Sequence, residues 1–107
     1  MAVQITTKVR DAVYMRDNGR CVRCGAFGLT NIHHRTPRGM GGTKDKASIS
    51  LANLLTLCGH GTAGCHGYIE SHRAEAVENG YIVLRGTDPA TVPVKTLRGE
   101  QWFTNDG

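Results

Sequence analysis

The chain has 107 residues and a formal charge of +4 from 13 Lys+Arg against 9 Asp+Glu, which leaves room for one domain whose apolar core is small for its surface. Nine basic and three acidic side chains fall in positions 1–46 and four and six in 47–107, so an anionic partner should meet the first half. Apolar runs are only a few residues long and the start lacks a signal peptide's apolar core, which excludes a membrane-spanning segment and leads us to expect a cytoplasmic protein.

In TTKVRDAVYMRDNG the apolar residues Val9, Ala12 and Val13 recur at helical spacing, with Thr6 or Thr7 as a cap and Asn18-Gly19 as a left-handed stop. CVRCG follows as a tight turn presenting two thiols, and LTNIHHRTP alternates like a strand that ends at Pro37. RGMGGTKDKASIS has no periodicity and reads as an exposed loop able to follow a phosphate backbone. Leu54, Leu55 and Leu57 suggest a return strand after Asn53. HGYIESHRAEAVENG reads as one helix with Ile69, Arg73, Ala76 and Val77 on a shared face and Asn79-Gly80 as its end. In the tail, YIVLR and then TVPVKTLRGEQWFT suggest strands, with a hairpin turning at Arg98-Gly99-Glu100 and covering the core with Trp102 and Phe103.

Four cysteines in a chain expected in a reducing compartment point to metal rather than disulfides. Cys21 and Cys24 form a C-x2-C pair, and Cys58 and Cys65 a looser pair with six residues between them. Four thiolates make a closed tetrahedral zinc site, whose role is folding because no position is left for water. Its binding energy, on the order of 10 kcal/mol in small zinc domains, would offset the small core. His60, in the flexible GHGTAG segment, is a candidate to replace one thiol.

All five histidines lie between the second cysteine and a point shortly after the fourth. The string IHHRTPRGMGG, then SLANLLTLC, then CHGYIESH resembles the HNH endonucleases, in the zinc-stapled form found among phages. The resemblance covers about Arg16 to Gly80 and rests on the ordered set of paired histidines, Asn53 and His66 interleaved with the cysteine pairs. It implies a small α+β domain over 1–107: a ββα-metal (His-Me finger) core at about 16–80, and a C-terminal β extension, strand or hairpin, at 81–107. The implied activity is metal-dependent hydrolysis of DNA phosphodiester bonds that leaves 5′-phosphate and 3′-hydroxyl ends. A phage setting follows, with DNA and the large terminase subunit as partners, host cytoplasm as the compartment and no membrane.

Such hydrolysis needs an activated water, an in-line leaving oxygen and positive charge for the transition state. Histidine suits proton transfer near neutral pH. Neighbours on a strand point to opposite faces, so one of His33 and His34 should bind metal and the other handle the proton. The resemblance implies that His33 is the ligand and His34 the general base, with His66 as second ligand and Asn53 as a positioning residue. Glu70 follows His66 by four residues on one helical face and is a further candidate ligand. Relatives often carry histidine about there, and the carboxylate favours a harder ion, magnesium or manganese over nickel or zinc. His72, about 240° further round the helix than His66, fits the same ion poorly and reads as a phosphate contact or a surface residue. Arg35 and Arg38 flank the pair as phosphate contacts, Arg38 being preferred. Arg10, Arg16, Arg20, Arg23, Lys44 and Lys46 suggest a general electrostatic track. The alternatives are a non-catalytic zinc-stabilised module that binds nucleic acid and a protein-interaction zinc domain, neither of which explains the paired histidines.

Overall fold

Thr6 caps the first helix, α1 (Thr7–Arg16), its Oγ1 accepting from the Val9 N–H at 3.2 Å. The helix buries Val13 and ends where Asn18 and Gly19 turn left-handed, at φ 57° and 67°. These positions come from a computed structural model that describes residues 5–28, 30–36, 50–60 and 63–105. The Gly- and Lys-rich stretch read as an exposed loop, including Arg38, Lys44 and Lys46, lies outside those residues up to position 49.

Two strands follow, β1 (Thr30–His34) and β2 (Leu54–Cys58), paired antiparallel in a register that sets His33 opposite Leu55 and His34 opposite Leu54. Leu54, Leu55, Thr56 and Leu57 are all buried, because α1 and the next helix, α2 (Gly64–Ser71), both pack against β2. The other edge of β2 is closed too: Thr56 N–H donates to Asp17 Oδ2 and its carbonyl accepts from Val22 N–H. A second antiparallel pair, β3 (Val94–Thr96) and β4 (Gly99–Gln101), attaches through Leu97 N–H to Val22 O. The described residues form a small α+β fold with two two-stranded sheets, and none of their helices is long and apolar enough to cross a membrane.

Three expectations change. The second helix is broken at His72 (φ −127°, ψ 59°) into α2 and α3 (Arg73–Glu78). Polar side chains at the break take up the last carbonyls: Ser71 Oγ donates to Gly67 O, and His72 donates to Tyr68 O from both its backbone N–H and Nδ1. Arg73 is therefore exposed, while Ile69 and Ala76 stay in the core. YIVLR forms no strand, since the Tyr81 and Ile82 N–H groups close onto Ala76 O and that of Val83 onto Arg35 O. The hairpin turns at Leu97-Arg98, with Gly99 (φ 100°) opening β4, and of its two aromatics only Phe103 is buried.

Candidate metal centre

Two clusters of metal-ligating side chains occur among the described residues. The first joins Cys21, Cys24, Cys58 and Cys65, all free thiols whose sulfurs lie within 4.8 Å of one another. Cys21 and Cys24 sit on a knuckle closed by Gly25 N–H to Cys21 O at 2.8 Å. The wider spacing of the second pair has a structural cause. His60 and Ala63 bond reciprocally, N–H to O, at 3.0 Å, and bring the chain back on itself so that Cys65 N–H reaches Cys58 Sγ at 3.4 Å. Gly59 permits this return, because at φ 83° a Cβ there would stand 2.1 Å from Ala63 O.

Cys24 and Cys58 are 3.7 Å apart, and a tetrahedron of Zn–S bonds has sulfur–sulfur edges of about 3.8 Å. The four thiols could therefore hold a metal such as zinc. Burial above all pushes the Cys65 thiol up to about 12, against the hydrogen bond from Arg23. Ionising Cys65 therefore calls for a cation beside it. Arg23 Nη1 donates to Cys65 Sγ at 3.3 Å and its guanidinium lies 4.3 Å from the centre of the Tyr68 ring. His60 is exposed and does not belong to this four-ligand set.

The second cluster is His33, His66 and Glu70, with one ligand atom of each within 4.8 Å of the others. His33 arrives on β1, and His66 and Glu70 on α2 one turn apart. His33 is 3 % exposed, and its Nε2–H donates to Tyr81 O at 2.7 Å. That bond fixes the tautomer and leaves Nδ1 with a lone pair, 4.0 Å from Glu70 Oε1. Burial, the largest cause, lowers the His33 pKa to about 4, so the ring is neutral at pH 7. His66 is lowered too, chiefly by burial, and its ring stands edge-on to His33 with centroids 5.2 Å apart. Its Nδ1 is buried with no hydrogen-bond partner among the described residues. Two neutral imidazoles and a carboxylate fit a divalent cation, and they leave open positions that a closed thiolate set does not.

A search of family models, curated proteins and solved structures finds no match for this chain. His34 alternates to the face of β1 opposite His33 and is half-buried. The backbone just beyond it is clamped by Asn53, whose carbonyl accepts from Arg35 N–H at 2.8 Å and whose Oδ1 accepts from Thr36 N–H at 3.0 Å. Asn53 is itself buried.

The basic residues are placed differently from the expectation. Arg35 is fully buried and its side chain donates to four backbone carbonyls, so it is not a phosphate contact. Arg16 donates to Asp17, Leu51 O and Leu54 O, Arg20 lies over the Phe27 ring, and Arg23 is held by Cys65 and Tyr68. The electrostatic track is thus narrower than the charge count suggested. Arg38 lies outside the described residues. His72 joins neither cluster and stacks on Tyr68 with centroids 4.0 Å apart. Three further parts of the site were not anticipated: the Tyr81 carbonyl behind His33, Arg23 behind Cys65, and Arg73 on Glu70 at 3.1 Å. Only Arg73 left a sequence signal, the i,i+3 spacing from Glu70.

Proposed function

We propose that this chain is a metal-dependent DNA endonuclease of the HNH (His-Me finger) type, with a ββα-metal core and a structural zinc on its four cysteines. The observation that carries the reading is the convergence of His33 from β1 with His66 and Glu70 from α2, beside a second histidine on the same strand. His33, His66 and Glu70 would hold the divalent ion, with Tyr81 O orienting His33 from behind. When bound, that ion would supply Lewis-acid stabilisation of charge on the departing 3′ oxygen.

His34 is the general base in this reading. It accepts a proton from water as the oxygen attacks phosphorus and the P–O3′ bond breaks, and the departing 3′ oxygen takes a proton from solvent, leaving a 5′-phosphate and a 3′-hydroxyl. Asn53 fixes the backbone just after His34, at Arg35 and Thr36, and so positions the ring. The opposite-face placement of His33 and His34 supports a division of labour between ligand and base. The phage setting, with a large terminase subunit as partner, rests on the resemblance alone.

The test is nicking of supercoiled plasmid. Wild type should nick only with added magnesium, manganese or nickel, and His34→Ala should lose at least about 100-fold in rate while keeping its circular dichroism spectrum and one zinc per chain. A wild type that shifts plasmid mobility but never cuts under any of these ions would make the chain a zinc-stabilised nucleic-acid-binding module instead.

A further inference from the structure

Arg73 is the only Lys or Arg between Lys46 and Arg85, and it stands at the His33, His66 and Glu70 cluster. Its Nη1 donates to Glu70 Oε2 at 3.1 Å, while the other oxygen of the same carboxylate faces His33 Nδ1 at 4.0 Å. The guanidinium is therefore one carboxylate away from the ligand atoms. Arg73 opens α3 directly after the break at His72, and its side chain is 51 % exposed.

A guanidinium carries five N–H donors in a planar fork. Glu70 takes one, and the rest make no hydrogen bond among the described residues. A surface ion pair of this kind contributes little to stability, so folding does not explain it. Glu75 is engaged by the Tyr68 hydroxyl at 2.8 Å, and among the described residues Arg73 has no second carboxylate partner.

We infer that Arg73 is the phosphate-contacting arginine of the site, gripping a non-bridging oxygen of the nucleic-acid backbone beside the cluster while Glu70 anchors its other edge. The fork geometry matches phosphate, and a preorganised cation there is worth most where charge develops on the phosphorus oxygens. This extends the nuclease reading and supplies an arginine role that buried Arg35 does not fill.

Arg73→Gln and Arg73→Lys test it with three measurements. At saturating manganese and plasmid, Arg73→Gln should nick about 100-fold more slowly than wild type, and Arg73→Lys should recover only part of that loss. Without added divalent ion, the slope of log affinity for a DNA duplex against log salt should flatten by about one in Arg73→Gln and be restored in Arg73→Lys. Manganese affinity without DNA should stay equal or tighten, because a like charge has been removed from the cluster. An unchanged nicking rate or an unchanged salt slope would overturn the inference. So would a rate loss that excess manganese repairs, since Arg73 would then only orient Glu70. If the wild type nicks nothing, the nuclease reading fails on its own account, and the salt slope still decides whether Arg73 grips a phosphate.

Discussion

Four backbone carbonyls, those of Gly80, Ala52, Pro89 and Val92, accept the side-chain N–H groups of Arg35 at 2.8 to 3.0 Å. The residue next to the proposed base is thus an internal tie between β1 and three segments of the second half. Burial lowers its pKa to about 10, still far above neutrality, so the guanidinium remains charged. Arg35→Met would strand those carbonyls without water, at about 3 kcal/mol or more. For a chain this size we expect the melting temperature to fall by more than about 10 °C, read by circular dichroism. A drop within about 2 °C would show that the carbonyls find other donors. Nothing in the string His33-His34-Arg35 marks Arg35 as a structural tie; its burial and its four carbonyl partners do.

At the scale of elements, the sequence foretold the first helix, the histidine strand and its leucine-rich partner, because caps, alternation and left-handed stops are local signals. It did not foretell the break at His72 or the irregular course of Tyr81 to Val83. Both depend on which carbonyls the neighbouring donors find, and Arg35 O is one of them. The two cysteine turns are tied to each other by Arg23 of the first, which donates to Cys65 Sγ of the second. Arg23→Gln should weaken zinc binding about 10- to 100-fold, the usual effect of losing a partner behind a ligand. Competition against a colorimetric zinc chelator would measure it, and zinc release at the wild-type rate would leave Arg23 a surface residue stacked on Tyr68. The raised pKa of Arg23, whose largest cause is Cys65, agrees with a charge held against sulfur.

Across the whole molecule, the thiols are part of the core rather than an appendage. Cys21 and Cys65 pack in one cluster with Leu55, Leu57, Ile69, Ala76, Tyr81, Ile82, Val94 and Phe103, so β2, α2, α3, β3 and the chain after β4 all converge on the cysteine site. Stripping zinc from the protein should therefore unfold the core as a unit rather than loosen one loop. Treatment with a strong chelator at neutral pH is expected to abolish near-ultraviolet dichroism and collapse amide dispersion in NMR, with recovery on adding zinc. Retention of both after complete zinc loss would show that the apolar core suffices.

The uneven charge also changes meaning at this scale. The first half does hold the excess of basic residues, but Arg16, Arg23 and Arg35 are committed to internal partners. A count of charges therefore overstates the face offered to an anion. By itself the sequence determined the first helix, the histidine strand with its leucine-rich partner, and the cysteine set that could hold a metal, because periodicity, capping and C-x2-C spacing act over a few residues. Only the tertiary structure decided which arginines are buried and which carbonyl fixes the His33 tautomer. Those outcomes turn on hydrogen-bond partners tens of residues away, chosen when the elements pack.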